Sequence, residues 1–397
     1  MMNQRDVFWE DPRTLDLMEK LMGHYRKKTE ELRTVREGSG DHGLSDQVAQ
    51  FSEDRGGTLF YPYIGSGLGN GALVELIDGS VKYDFISGIG VHFGHSHPKL
   101  MNAMIQAALE DVVMQGNLQQ NRISVELVAK FKEISGMDHV FLTTSGAMAA
   151  ENALKLIFQH HHPAKRLLAF KNCFIGRTLT LSQVSDKPKN RVGLLDNMGV
   201  DYLPFYDPEH HQRSIDRTCK QLETYIKRYP NQYAGMCLEL IQGEGGFYPG
   251  HTEFFDAIMT ILKANKIAVY VDEIQTFGRT SQFFAYQHFG LEKWVDVVTI
   301  GKLSQVCATL FRQPYKPKPS TLSQTFTGST NALYAGLCIV NELEEQDHFG
   351  INGRNMIMRA HMVGQLETLQ ADFPKLVRGP FGEGLMIAFT YKTGEKE

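Results

Sequence analysis

Three short stretches carry residues that can do chemistry where a predicted strand ends. Asp272 directly follows the apolar run IAVYV, and Lys302 follows VDVVTI after a single glycine. An amine at the end of an apolar strand loses part of its hydration, which lowers its pKa and suits it to Schiff-base chemistry. In the third stretch Ser145, Gly146 and Ala147 open a predicted helix, whose free N–H groups and positive dipole end attract anions. The sequence therefore predicts a pocket with a phosphate-type site, an acid and an amine.

Each of these residues also has a plainer interpretation on its own. Ser145 and Asp272 are common helix-capping types, and a lysine at a strand end is often only a surface residue. The combination favours the functional interpretation, because the carboxyl ends of strands in an open α/β sheet converge on one ligand crevice. The run QGEGG, which follows the predicted strand MCLELI, is expected at the same edge.

The elements that must position these residues follow an α/β pattern. Between about residues 100 and 310, helix-like segments alternate with the apolar runs HVFLTT, RLLAF, MCLELI, IAVYV and VDVVTI, which predicts a mostly parallel central sheet with helices on both faces. A helix-like N-terminal segment and a hairpin around Asp78 and Gly79 precede this body. A final α+β segment follows the Pro-rich run RQPYKPKPS. We expect an arm and part of a small domain at 1–85, a large domain at 86–325, and the rest of the small domain at 326–397.

Composition narrows the class of partner. The 397 residues carry a net charge of −4, without the basic surplus that a nucleic-acid or anionic membrane partner requires. Five distant cysteines indicate no disulfide framework, and neither a signal sequence nor a run of about 18 apolar residues is present, so we expect a cytoplasmic protein. We predict no metal site, because His160, His161 and His162 have no second cluster at ligand spacing.

Taken in order, the motifs of roughly residues 60–390 resemble the class III (ω-) aminotransferases, which belong to the fold type I pyridoxal-phosphate enzymes. The matching runs are GIGVHFGHSHP, FLTTSGAMAAENALK, FIGRT, ELIQGEGG, VDEIQTFGRT, TIGK and QTFTGS. The resemblance implies a pyridoxal 5′-phosphate cofactor and transamination of an ornithine, acetylornithine, lysine or 4-aminobutyrate type donor, with 2-oxoglutarate as acceptor. The run GKLSQVC is closer to the lysine ε-aminotransferase branch. An aminomutase or epimerase, and a cofactor-binding protein without turnover, remain open alternatives.

The resemblance also implies roles for residues around the cofactor. Lys302 matches the lysine that forms the Schiff base, and Asp272 matches the aspartate that faces the pyridine nitrogen. Gln275 would reach the phenolic oxygen of the ring, and Phe174 would stack on its face. The phosphate would be held by the helix start at Ser145, Gly146 and Ala147.

On the substrate side, Arg177 matches the arginine that binds the substrate carboxylate, and Glu244 matches a gating glutamate. Thr325 matches a threonine that reaches the phosphate of the neighbouring subunit, which implies a homodimer with shared active sites.

The sequence departs from the family pattern at several positions near the site. Ile175 stands where the family usually has histidine, and Leu240 stands where it has proline. Phe381 replaces an arginine, and Arg378 lies three positions earlier. We also expect the small domain to be shorter than in the family, through truncation or an unusual architecture, which would leave Glu244 without its arginine partner.

Overall fold

The computed structural model describes residues 3–38, 40, 43–59, 61, 64–85 and 92–391. These residues form two compact units, Met1–Glu110 and Asp111–Glu397. Helices α1 to α12 are Gln4–Glu10, Pro12–Thr29, Leu44–Asp54, Pro98–Ala108, Arg122–Ser135, Gly146–His160, Leu181–Val184, His211–Arg228, Thr252–Ala264, Ala285–His288, Thr330–Glu345 and Arg354–Asp372. Strands β1 to β16 are Gly65–Asn70, Leu73–Leu76, Val81–Tyr83, Met114–Gln115, His139–Thr143, Arg166–Phe170, Gly199–Leu203, Tyr233–Leu238, Ile241–Gln242, Tyr248–Pro249, Ala268–Asp272, Val297–Ile300, Cys307–Phe311, Gly328–Ser329, Val377–Glu383 and Met386–Tyr391.

The first unit contains the predicted N-terminal helix and the predicted hairpin. Helix α2 begins at Pro12, and the Asp11 side chain caps it by accepting the N–H of Arg13. Strands β2 and β3 pair antiparallel, and the Asp78 side chain accepts the Ser80 N–H at 2.9 Å inside the turn between them. Both local predictions are confirmed.

The second unit is built on a seven-stranded sheet with the order β5-β13-β12-β11-β8-β6-β7. The pairs β12/β11, β11/β8, β8/β6 and β6/β7 are parallel, whereas β13 runs antiparallel to both of its neighbours. All residues of β8, β11 and β12 are buried, as expected when helices cover a parallel sheet. The predicted α/β fold with a mostly parallel central sheet is confirmed.

Two strands of this sheet escaped prediction. Strand β7, GVDYL, is interrupted by Gly199 and Asp201 and is only half-buried apart from Leu203, so its sequence resembles a connection more than a buried strand. Strand β13, CATLF, follows Lys302 so closely that its sequence resembles part of the lysine motif. It runs antiparallel to β12, which precedes Lys302. The predicted domain boundaries at 85 and 325 stay predictions.

The C-terminal helices fix the loop that follows Asp272. Asn355 of α12 is fully buried, and its amide donates to the carbonyls of Gly278 and Thr280 at 2.9 Å each. Its Oδ1 contacts His348 Nδ1 at 3.1 Å. Because buried carbonyls without partners are costly, these bonds hold the loop in one conformation. In the described ranges, helices long and apolar enough to cross a bilayer are absent.

Candidate active site

Asp272 and Lys302 lie at the ends of adjacent parallel strands. Asp272 is the last residue of β11 and stands opposite Thr299 of β12, and Lys302 follows β12 after Gly301. The two side chains are close enough for each charge to act on the pKa of the other. The structure therefore brings together the acid and the amine that the strand-end pattern predicted.

Lys302 is held in a conformation that turns the chain sharply out of the sheet. Its φ of 50° lies in the left-handed region, which is uncommon for a residue with a side chain, and a short 3₁₀ turn, Lys302–Ser304, begins there. Burial lowers the pKa of the Lys302 amine, whereas the carboxyl groups of Asp272, Glu244 and Glu239 oppose that shift when they are ionised. A lowered pKa leaves more of the amine unprotonated and nucleophilic.

Asp272 is a carboxylate at the end of a buried strand. Its side chain is only 6% exposed, and this burial raises its pKa to about 6. The Ile274 N–H, which donates to Oδ1 at 2.9 Å, the Lys302 charge and the Tyr270 hydroxyl all favour the ionised form. At neutral pH the group is therefore mostly ionised and ready to attract a further proton donor or cation.

The adjacent carboxyl group of Glu273 has a different environment. It is fully buried, it accepts the Tyr286 N–H at 2.9 Å, and it pairs with the Thr276 hydroxyl. Burial raises its pKa to about 7. These partners belong to the protein itself, so Glu273 anchors the loop after β11 and leaves Asp272 as the carboxylate that faces Lys302.

The predicted anion site is the start of α6. Ser145 is the N-cap, and its Oγ accepts the Met148 N–H at 3.2 Å. A Cβ on Gly146 would stand 3.0 Å from the Ile274 side chain, so the helix start packs tightly against the loop after Asp272. Ala147 is half-buried beside it, and the exposed Ser145 leaves the helix N-terminus accessible to an anion.

Sequence analysis missed one titratable group of the site, Glu239. It lies just after β8 and accepts the Phe174 N–H at 2.9 Å and the Gly243 N–H at 3.0 Å. Burial raises its pKa to about 8, although the nearby Lys302 charge and both N–H groups oppose the shift. Through these two hydrogen bonds, Glu239 links the loop that carries Phe174 with the QGEGG loop.

Phe174 and Arg177 occupy the loop after β6. The Phe174 ring is half-buried, and the guanidinium carbon of Arg177 lies 5.3 Å from its centroid. A guanidinium over an aromatic ring is an attractive cation–π arrangement. Arg177 is exposed, so its fork can reach an anionic group from solvent.

Gln275 and Glu244 meet at the QGEGG loop. A Cβ on Gly243 would lie 2.0 Å from Gln275 Oε1, so a glycine is required for this close approach. Glu244 is exposed, its carbonyl accepts a hydrogen bond from Lys187 Nζ at 3.0 Å, and its carboxylate opposes the lowering of the Lys302 pKa that burial causes. Glu244 therefore lies near the Lys302 amine, and Gln275 lies against the QGEGG loop.

Thr325 is exposed on the loop that precedes β14. Its carbonyl group packs directly against Gly116, where a Cβ would come within 1.7 Å of the oxygen. The preceding Gln324 accepts the Thr143 hydroxyl through Oε1 at 2.8 Å, which fixes the loop to the end of β5. The backbone is thus anchored while the Thr325 side chain remains accessible.

The residues that depart from the family pattern fall into two groups. Ile175 and Leu240 are buried apolar residues, 4% and 0% exposed, which fill space without offering a polar group. Arg378 lies with its guanidinium 5.7 Å from the centroid of Phe381, and both residues line a cavity of about 600 Å³. Arg378 therefore offers a positive charge at this cavity, which Gln242 also lines.

Known proteins resemble this chain in sequence and in fold. The class-III aminotransferase family model matches residues 64–397. Acetylornithine aminotransferases from Caldanaerobacter subterraneus subsp. tengcongensis and Methanocaldococcus jannaschii are 30% and 31% identical, and each match covers 80% of this chain and 79% or 78% of the relative. The solved lysine aminotransferase from M. tuberculosis is similar with a TM-score of 0.76 and 23% identity, over 88% of this chain and 87% of that one. Ornithine aminotransferase from Toxoplasma gondii ME49 has a TM-score of 0.71 and 23% identity, over 88% and 84%.

Glu239 should give the stability of the holoenzyme a characteristic pH dependence. Its folded pKa of about 8 exceeds the ordinary value of 4.5, so its protonation stabilises the fold fully below about pH 4.5, and that contribution is lost as the pH rises toward 8. Glu239→Gln removes this titration. We expect urea unfolding to show wild type losing stability relative to the variant between about pH 5.5 and about pH 8. The exposed Glu223→Gln should follow wild type, and a pH-independent difference for Glu239→Gln would contradict the assignment.

Proposed function

Because the chain belongs to the class-III aminotransferases, we propose that it moves the amino group of a carboxylate-bearing donor to 2-oxoglutarate. Pyridoxal phosphate is the cofactor, and the reaction is a transamination. The observation that carries the proposal is the placement of Asp272 and Lys302 at the ends of adjacent strands β11 and β12. A buried carboxylate beside a partly desolvated amine is the pair that this chemistry needs.

The residues around this pair fit pyridoxal phosphate. The open N-terminus of α6 can accept the phosphate group, and the half-buried Phe174 ring offers a flat apolar surface. Glycines at 146, 243 and 301 leave no room for added side chains, since a Cβ at each would lie within about 3 Å of a neighbouring atom. An anion site, a carboxylate and an amine therefore surround one crevice.

When bound, the cofactor supplies a carbonyl group for covalent attachment and a ring that takes up electrons released from the substrate. Asp272 would hold a proton at the ring nitrogen, because its buried carboxylate is stabilised by a cationic partner. Lys302 Nζ would accept the proton from the substrate carbon and would be the group that delivers it to a carbon of the cofactor. Its lowered pKa matches this role, since a base must be unprotonated in part at neutral pH.

The choice of donor rests on the relatives. Curated relatives of similar sequence include acetylornithine aminotransferases, and similar solved structures include lysine and ornithine aminotransferases. We therefore place acetylornithine first among the donors, with ornithine, lysine and 4-aminobutyrate as the other members of a panel.

Formation of glutamate from 2-oxoglutarate, measured with each donor in turn, tests this function. We expect at least one carboxylate-bearing donor to support turnover, and Lys302→Ala to lose at least about 10³-fold in rate. Bound cofactor without glutamate from any donor would contradict the proposal. Racemised or isomerised donor in the absence of 2-oxoglutarate would instead favour an epimerase or an aminomutase.

Arg177 would bind the substrate carboxylate. It is an exposed guanidinium held beside Phe174, and a planar fork matches a carboxylate with two parallel hydrogen bonds. Glu244 lies near enough to act on Lys302 and would control how a second acidic substrate enters.

Replacement of Arg177 by lysine keeps the charge but loses the fork. We expect Arg177→Lys to raise the KM for 2-oxoglutarate about tenfold or more, while a carboxylate-free aldehyde acceptor is little affected. The exposed Arg217→Lys on α8 is the matched control. Single-turnover kinetics with both acceptors provide the measurement. If the rates with the two acceptors changed equally, or if neither rate changed, Arg177 would not bind the substrate carboxylate.

We also propose that the enzyme is a homodimer in which Thr325 binds the phosphate of the partner's cofactor. Its side chain is exposed although its backbone is fixed against Gly116, so it projects from a rigid support. A cytoplasmic location is consistent with the free thiols of Cys173, Cys219, Cys237 and Cys307.

Loss of the Thr325 hydroxyl should weaken cofactor binding. A hydrogen bond to a charged group contributes about 1.5–3 kcal/mol, so Thr325→Ala should raise the dissociation constant of pyridoxal phosphate about tenfold or more. Dilution of wild type into monomers should have a similar effect. Thr224→Ala, an exposed change on α8, serves as the control. Full cofactor affinity in a monomer demonstrated by sedimentation would contradict the shared site.

A further inference from the structure

Two imidazoles and a carboxylate meet where helices α8 and α9 begin. His211 is the first residue of α8, His251 is the N-cap of α9, and Glu253 lies in the first turn of α9. One ligand atom from each residue lies within 4.8 Å of the other two. The two helices pack against each other, so their starts are held in register.

The His211 ring is oriented from behind by a tyrosine. Tyr206 Oη lies 2.7 Å from Nδ1, and Nε2 points at Glu253 Oε2 at 2.8 Å. If Nδ1–H donates to the hydroxyl, the Nε2 lone pair faces the carboxylate oxygen, and only a proton or a cation between them satisfies both. Metal-binding histidines are commonly held in this way, with one ring nitrogen on a hydrogen-bond partner and the other on the metal.

His251 completes a third side of the cluster. Its ring lies 4.9 Å from the His211 ring, and it stacks on Tyr206 with centroids 5.7 Å apart. Its Nδ1 accepts the Glu253 N–H at 3.3 Å, a long bond that is weak and that a metal bond would replace. The ring can therefore turn toward an ion at little cost.

Charge at the cluster favours a cation. Glu253 places a carboxylate oxygen 2.8 Å from His211 Nε2. His211 and His251 are neutral ligands in their unprotonated form, so Glu253 would balance only part of the charge of a divalent ion. The open position would remain for water or a further anion.

We propose that His211, His251 and Glu253 bind a Zn²⁺ ion. Two imidazoles and one carboxylate are the ligand set of open zinc sites, in which water takes the fourth position, and imidazole selects zinc over magnesium or calcium. Ligand atoms around tetrahedral zinc stand about 3.3 Å apart, so small side-chain rotations close the triad around the ion. The ion would fasten the start of α8 to the start of α9.

The proposed site departs from the expectation from the sequence that the chain has no metal site. The run HTE at 251–253 is too short a signal, and His211 lies forty positions earlier. Only the packing of α8 on α9 brings the three side chains together. The segment before α8 also contributes Phe205, Tyr206 and Glu209 to the cavity that Arg378 lines, so the ion would steady one wall of that cavity.

Zinc binding to the chelator-treated holoenzyme, measured by competition with a chromophoric chelator, tests the proposal. We expect one Zn²⁺ per chain with a dissociation constant of about 1 µM or lower, and a higher Tm when zinc is present. His211→Ala and Glu253→Gln should each weaken binding about 100-fold, and Tyr206→Phe about tenfold, because it removes only the hydroxyl that orients His211.

His210→Gln is the matched control, since His210 is an exposed neighbour that pairs with Asp207 and is not a ligand here. It should bind zinc as tightly as wild type. Circular dichroism in the presence of chelator should show all variants folded, because the altered side chains lie at or near the surface. Absence of stoichiometric zinc, or zinc bound equally tightly by His211→Ala and wild type, would overturn the site.

Discussion

A carboxylate held at the end of a buried strand is the constraint on which the site depends. Strand β11 lies between β8 and β12, so Asp272 emerges between the residues that follow those two strands. Burial works against its charge, and the ionised form persists only because the Ile274 N–H, the Tyr270 hydroxyl and the Lys302 amine favour it. The same proximity keeps the partly desolvated Lys302 next to a negative charge. The Asp272 carboxylate can therefore also stabilise a further cationic group in the crevice.

Three buried carboxyl groups lie near each other and are separated in function by their partners. Glu273 is tied to Tyr286 and Thr276, and Glu239 is tied to Phe174 and Gly243. Their pKa values are raised to about 7 and about 8, whereas that of Asp272 is raised to about 6. The two glutamates bond to groups of the protein itself and position the loops, whereas Asp272 faces Lys302 and carries the charge.

The strand ends were predictable from the sequence because buried parallel strands are short continuous apolar runs. Since the carboxyl ends of such strands converge, Asp272 and Lys302 were expected to lie together. Glu239 escaped because it stands inside the run MCLELI, where it reads as a strand residue and not as the end of one. Strand β13 escaped because a reversed strand gives no βα signal. Roles for Arg177, Glu244 and Thr325 came only from family resemblance, since they depend on a substrate or a second subunit that a single sequence does not contain.

The central claim is that the charge of Asp272 drives proton removal from the substrate. Asp272→Asn keeps the size and polarity of the side chain but removes the charge, so the variant should retain most of its cofactor. In a stopped-flow half-reaction with a good donor, we expect its rate to fall at least about 100-fold, equivalent to about 2.7 kcal/mol of transition-state stabilisation. A variant that binds cofactor and reacts at a rate close to wild type would show that Asp272 only caps the loop, and would contradict the account.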